Sequence, residues 1–175
     1  SLPNWTVYSG QFNVKKGDTK IEAYAIDGAG NTGNTAVLNI IVDDDAPVIK
    51  NVSLDRNPDT TTGWYNSSTG KPQIVIDAED TGSGVYEVRY SYDGQNYSSY
   101  TGPFDLYEGK ELNLTLYVNA TDNLSNTITS ISSLSTINVD VTSPVSSIII
   151  LPGRKFKISS SDNVSGIKKI CYQFD

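Results

Sequence analysis

One stretch of this sequence, Asp80 to Asn126, is echoed on both of its flanks. That repetition limits the folds open to the chain more than any other feature. Trp5, Tyr8, Gly10, Phe12 and Gly17 correspond to Tyr97, Tyr100, Gly102, Phe104 and Gly109 at an offset of 92. After a three-residue insertion, Ile21, Ala23, Ala25, Asp27 and Asn31 correspond to Leu116, Val118, Ala120, Asp122 and Asn126 at an offset of 95. On the other flank, Phe156 and Ile158 correspond to Ile74 and Ile76 at an offset of 82. At the same offset Asp162, Ser165, Gly166, Ile167, Ile170, Tyr172, Phe174 and Asp175 match Asp80, Ser83, Gly84, Val85, Val88, Tyr90, Tyr92 and Asp93. The linker Asp43-Asp44-Asp45-Ala46-Pro47 recurs as Asp140-Val141-Thr142-Ser143-Pro144 at an offset of 97. Self-similarity on this scale marks repeated structural units.

Within the repeat the side chains alternate. Leu112, Leu114, Leu116, Val118 and Ala120 share one parity and face a core; Asn113, Thr115, Tyr117, Asn119 and Thr121 share the other and face outward. The segments Asp27–Asn31 and Asp122–Asn126 read as turns, because Asp and Asn side chains bond to nearby backbone amides and Gly supplies positive φ. Strands are expected at Val48–Leu54, Gln73–Ala78, Val85–Tyr92, near Tyr97–Tyr100, near Phe104–Leu106, at Glu111–Ala120 and at Thr127–Val139. Seven strands in 97 residues is the size and count of a β-sandwich. No window shows helical periodicity with caps. The shift of offset from 97 to 82 means that the third repeat lacks most of the Asn57–Gly70 loop, which is expected to be an exposed insertion rather than core.

The chain therefore reads as all-β. Residues 1–42 are the C-terminal half of a sandwich, 43–139 a complete one and 140–175 the N-terminal half of another. An open half-sandwich leaves an apolar face and unpaired strand edges in water. Two arrangements answer this: residues 140–175 of one copy completed by residues 1–42 of the next, or continuation into further repeats of a longer tandem array. Both give an end-to-end string of units. With no initiator Met and no signal peptide, the chain is expected to be a processed product or an excerpt.

Charge and composition remove several function classes. A net charge of −7 argues against nucleic-acid binding and against anionic membrane surfaces. No apolar run approaches the roughly 18 residues of a membrane span. There is no His, which removes the commonest general base, and no nucleophile motif, so no enzymatic activity is expected. The one cysteine, Cys171, excludes an internal disulfide framework. It stands at the position of Arg89, on the parity opposite the core, and is expected at an interface, with an intermolecular disulfide as the alternative.

The pattern D-x-x-S-G-V, then Y-x-x-D-G, an aromatic and Y-x-G-x-F, then A-x-D and a closing Asn resembles the immunoglobulin-like repeats of bacterial and archaeal surface proteins. Those repeats occur in adhesins, surface-layer proteins and accessory regions of secreted hydrolases. The resemblance covers nearly all of the chain, and its motifs specify fold far better than function. It implies tandem immunoglobulin-like sandwiches at an extracellular cell surface. The expected role is a structural module of a surface layer, stalk or filament that links end to end. An adhesin or carbohydrate-binding module is the first alternative, and an accessory region of a secreted enzyme the second.

Sequons for N-glycosylation occur at Asn4, Asn51, Asn66, Asn96, Asn113, Asn119, Asn123 and Asn163. With 15 Asn and 37 Ser plus Thr, chance gives roughly three. The excess predicts N-linked glycans, against the alternative of sequons arising from a Ser/Thr/Asn-rich surface. The acidic linker Asp43, Asp44 and Asp45, with Asp140 at its repeat, is a candidate Ca²⁺ site, since calcium takes six to eight oxygen ligands; a solvated linker is the alternative. Asp27, Asp80, Asp93 and Asp122 read as turn caps rather than ligands. Tyr90 and Tyr92 share parity with Val88 and read as core. Tyr97, Tyr100 and Tyr107 are candidates for a sugar-stacking surface or for packing at the sandwich rim. Trp64, beside Tyr65 and Asn66, is a candidate contact to a neighbouring unit or to a sugar on Asn66.

Overall fold

The computed structural model describes residues 5–174. Among them the secondary structure is entirely β, in eleven strands. Strands β1 (Lys20–Ala23) and β2 (Ala36–Asn39) form a two-stranded antiparallel sheet. Strands β3 (Val48–Leu54), β4 (Gln73–Glu79), β5 (Val85–Ser91), β6 (Ser98–Ser99), β7 (Phe104–Asp105), β8 (Gly109–Asp122) and β9 (Thr127–Val139) follow. Strands β10 (Val145–Leu151) and β11 (Lys155–Ser161) form a second two-stranded antiparallel sheet.

The seven central strands make two antiparallel sheets, ordered β3-β4-β7 and β6-β5-β8-β9. The two sheets share one hydrophobic cluster, an arrangement consistent with a β-sandwich. Alternation in β8 explains why. Leu114, Leu116, Val118 and Ala120 are buried, while Asn113 and Thr115 on the other parity are exposed and Tyr117 and Asn119 half-buried. Ile74 and Ile76 of β4 meet them from the other sheet, and Ile137 and Val139 of β9 extend the cluster on the same sheet as β8. Each such aliphatic side chain contributes about 1.5–3 kcal/mol on burial. A one-residue slip of β8 would move this whole set to solvent, so the register, with Arg89 opposite Asn119 and Tyr90 opposite Val118, is strongly specified.

Two sequence expectations are corrected. The Asn57–Gly70 loop is not simply an exposed insertion. Its Tyr65 is 5% exposed and belongs to the core, its hydroxyl donates to the Arg56 carbonyl at 2.9 Å, and its backbone pairs with Val139. The loop folds inward there because an aromatic body is buried while its polar tip finds a partner. Tyr92 is not core. It follows the last residue of β5, is about half exposed, and meets Tyr90 edge-on with centroids 6.0 Å apart.

The flanks differ from the centre. Every residue of β2 and β10 is exposed, and Val37, Leu38, Ile148, Ile149 and Ile150 all carry half or more of their surface to solvent. Ile167–Gln173, the counterpart of β5, contains no strand.

Candidate functional site

Four turns share one construction. The Asp27 carboxylate accepts hydrogen bonds from the Ala29 and Asn31 amides at 2.9 and 2.8 Å and from Asn31 Nδ2 at 2.9 Å. Asp122 does the same with Leu124, Asn126 and Asn126 Nδ2 at 2.8, 2.7 and 2.7 Å. Asp80 accepts from the Gly82 and Gly84 amides at 3.1 and 2.6 Å, and Asp162 from Val164 and Gly166 at 3.1 and 2.8 Å. A short acidic side chain bonding forward to amides two and four residues on fixes such a turn without a ladder. Backbone angles repeat as well. Gly30 has φ +86° and its counterpart Ser125 has +71°, a left-handed conformation that glycine adopts without strain and serine does not. Asp93 caps another turn, accepting from the Gln95 and Asn96 amides, both at 2.8 Å.

The linker acids tie successive segments together. Asp43 Oδ2 accepts from the Ser83 amide at 2.7 Å, and Asp140 Oδ2 accepts from the Ser165 amide at 3.0 Å. These are equivalent bonds in successive repeats. Asn126 Nδ2 then donates to the Asp43 carbonyl at 3.0 Å, closing the linker onto the β8–β9 turn.

This arrangement gathers Asp43, Asp80 and Asp122, whose carboxylate oxygens lie within 4.8 Å of one another. Asp43 and Asp122 are buried, at 5% and 1% exposure. Gly82 permits the approach, because a β-carbon there would overlap the Asp43 carboxylate. Of the acids proposed from the sequence for calcium, only Asp43 joins this cluster. Asp44 and Asp45 are exposed, and Asp45 pairs with Lys16. Asp140 is buried at the following junction, where its Oδ1 accepts from the Thr142 amide and hydroxyl. Asp80 and Asp122 read from the sequence as turn caps, and the structure shows them as that. Their convergence on Asp43 is not visible along the sequence, although both open turns and all three positions recur in the repeats. Each clustered carboxylate already accepts amide hydrogens, so the charges are partly met within the protein. For Asp122, burial works against ionisation, but hydrogen bonds from the Asn126 side chain and from the Asn126 and Leu124 amides outweigh it and hold its pKa below the ordinary value. At Asp140 burial likewise opposes, and Ser165 and Thr142 prevail.

Of the sequons, Asn4 lies outside the described residues. Asn51, Asn96, Asn113, Asn123 and Asn163 are exposed, and Asn66 and Asn119 are half-buried. Their amide nitrogens differ in commitment. Asn123 Nδ2 donates to the Ser83 and Gly84 carbonyls at 2.8 and 3.0 Å, Asn119 Nδ2 to Thr129 Oγ1 at 3.1 Å, and Asn96 Nδ2 to Asp93 at 2.7 Å. Asn66 acts through its oxygen, which accepts from the Ser68 amide and hydroxyl.

The tyrosines divide similarly. The Tyr100 hydroxyl receives the Ile76 amide at 3.1 Å and its ring packs on the core, while Tyr107 is about half exposed. Trp64 lines an open cleft of about 410 Å³ with Thr61, Asn66, Asp140, Ser165 and Lys168, which sets the loop against the Asp162–Gly166 turn of the next segment. Cys171 is exposed. No helix among the described residues is long and apolar enough to cross a membrane. Compared with known proteins, the chain matches no family model and no curated protein.

Proposed function

We propose that this chain is a structural module of an extracellular, glycosylated surface assembly, a surface layer, stalk or filament whose immunoglobulin-like units link end to end. The observation that supports this reading is the contrast between the centre and the flanks. Residues that are buried in the middle unit have counterparts in the flanking sheets that face solvent: Phe156 is 58% exposed where Ile74 is fully buried. Contiguous apolar faces and open sheet edges are the mark of surfaces made to be covered. The topology of the middle unit, three strands facing four, suits an immunoglobulin-like sandwich. The sequons that reach solvent suit glycan-covered sides between sticky ends. The carbohydrate-binding alternative is weakened by Tyr100, whose ring and hydroxyl are both committed to the core. Electron microscopy of the material, with light scattering across a concentration series, tests the proposal. Rods or sheets and a mass that grows with concentration are expected; a monomer at every concentration overturns it.

A further inference from the structure

The flanking segments already hold the two halves of a joint. Tyr8 meets Phe12 with centroids 6.3 Å apart at 77°, and their counterparts Tyr100 and Phe104 stand 6.3 Å apart at 71°. Tyr172 meets Phe174 at 5.6 Å and 79°, and Tyr90 meets Tyr92 at 6.0 Å and 88°. Each flank thus carries the aromatic corner of its counterpart before any partner is present. In the middle unit the two corners are joined: Tyr90 stacks on Phe104 at 4.4 Å and 15°. In the flanks Tyr8, Phe12, Tyr172 and Phe174 are 64–82% exposed.

The backbone points the same way. Val85–Ser91 is a strand because β8 lies beside it, and Ile167–Gln173, with the same apolar pattern, is no strand without such a neighbour. Strand conformation in a short segment depends on cross-strand pairing more than on propensity. Charge does not oppose the pairing: residues 5–42 carry three lysines against three acids, and residues 140–174 carry five Lys and Arg against two Asp, so the two segments do not repel by like net charge.

We propose that residues 140–174 of one copy receive residues 5–42 of a second copy in the register that β5 and β8 use inside the middle unit. This rests on the end-to-end reading above and adds its pairing. Val88 opposite Ala120 becomes Ile170 opposite the partner's Ala25. Arg89 opposite Asn119 becomes Cys171 opposite the partner's Tyr24, and Tyr90 opposite Val118 becomes Tyr172 opposite the partner's Ala23. Tyr172 stacks on the partner's Phe12, as Tyr90 does on Phe104. The partner's Asn31 reaches the Asp140 carbonyl, as Asn126 reaches that of Asp43.

Cys171 gives the register a direct test. Directly opposed residues bring their β-carbons within about 4.5–5.5 Å, close to disulfide reach. In the Tyr24→Cys variant, mild oxidation is expected to give a ladder of covalent oligomers. Peptide mass should then identify a disulfide between Cys171 and the introduced thiol at position 24. Adding Cys171→Ser should abolish that product. Linkage through Glu22→Cys or Ile26→Cys in place of Tyr24→Cys overturns the register while leaving end-to-end assembly standing. A disulfide closed within one monomer overturns a second copy as the occupant. Monomers with no crosslink overturn both readings. Because Tyr24 also packs edge-on against Trp5, a second measurement uses the unaltered chain. Amides of Ile167–Gln173 are expected to exchange at least about tenfold more slowly at high than at low protein concentration. Exchange independent of concentration overturns the pairing.

Discussion

Asn126 and Asp43 lie 83 positions apart in the chain and meet through a 3.0 Å bond from Asn126 Nδ2 to the Asp43 carbonyl. The same nitrogen donates to Asp122 Oδ2 at 2.7 Å. One amide group therefore serves the linker and the turn together. Replacing it leaves a half-buried carbonyl and a carboxylate short of a donor. Asn126→Ala is expected to lower the stability of the middle unit by about 1–3 kcal/mol, read as a shift in denaturation midpoint at unchanged slope. Asn31→Ala, at the exposed counterpart, should change stability less.

Ser125 occupies the left-handed conformation that Gly30 takes in the first repeat. A non-glycine residue there stores strain. Ser125→Gly is expected to raise stability by about 0.5–1 kcal/mol, measured by thermal or urea unfolding. A loss of stability on that change would mean that the Ser125 side chain contributes more than its backbone costs.

Acid should destabilise the middle unit. Asp55, Asp59, Asp93 and Asp122 all have pKa values held below the ordinary 3.8, by hydrogen bonds from Arg56, Thr62, Asn96 and Asn126 in turn, against burial. A carboxylate with a depressed folded-state pKa stabilises the fold above its unfolded pKa, and that contribution is lost as pH falls through the folded value. Melting temperature is expected to be flat from about pH 5 to 8 and to fall steadily below about pH 4. Asp122→Asn should flatten part of that decline.

Tyr65 ties the long loop to the core. Tyr65→Phe removes only the bond to the Arg56 carbonyl and should cost about 1 kcal/mol, whereas Tyr65→Ala should cost about 3–5 kcal/mol. Proteolysis between Asn57 and Gly70 should accelerate in the alanine variant. Equal cleavage rates in the two variants would show that the ring does not hold the loop.

Sequon occupancy, measured by intact mass and glycopeptide mapping in a glycosylating host, is expected to follow amide commitment. Asn51, Asn66 and Asn163 should be modified more completely than Asn123, whose amide hydrogens clamp Ser83 and Gly84. Asn123→Gln should lower stability, and Asn163→Gln should not.

The strands and acidic turns were legible because alternation and spacing are local properties. Val48–Leu54 and Thr127–Val139 appear with the boundaries that the apolar pattern indicates. The Asp43–Asp80–Asp122 cluster was not legible, because consecutive acids at 43–45 draw the eye along the chain, whereas the cluster forms across it. Tyr65 was missed for a related reason. A loop absent from one repeat looks dispensable, yet burial depends on where its ring can reach. Tyr92 failed in the opposite direction, since parity continues past the point where β5 ends at Ser91.

The chain leaves the middle unit through a double tie at Tyr65. Its amide donates to the Asn138 carbonyl and its carbonyl accepts from the Asp140 amide, both at 2.8 Å, in a parallel bridge around Val139. A pull on the linker therefore meets both of these bonds before β9 can part from β8. Both bonds flank the same residue and must slide and break together, with Val139 drawn out of the core in the same step. Traction along the chain loads this clamp in shear, so the unit should yield abruptly at high force rather than unzip gradually.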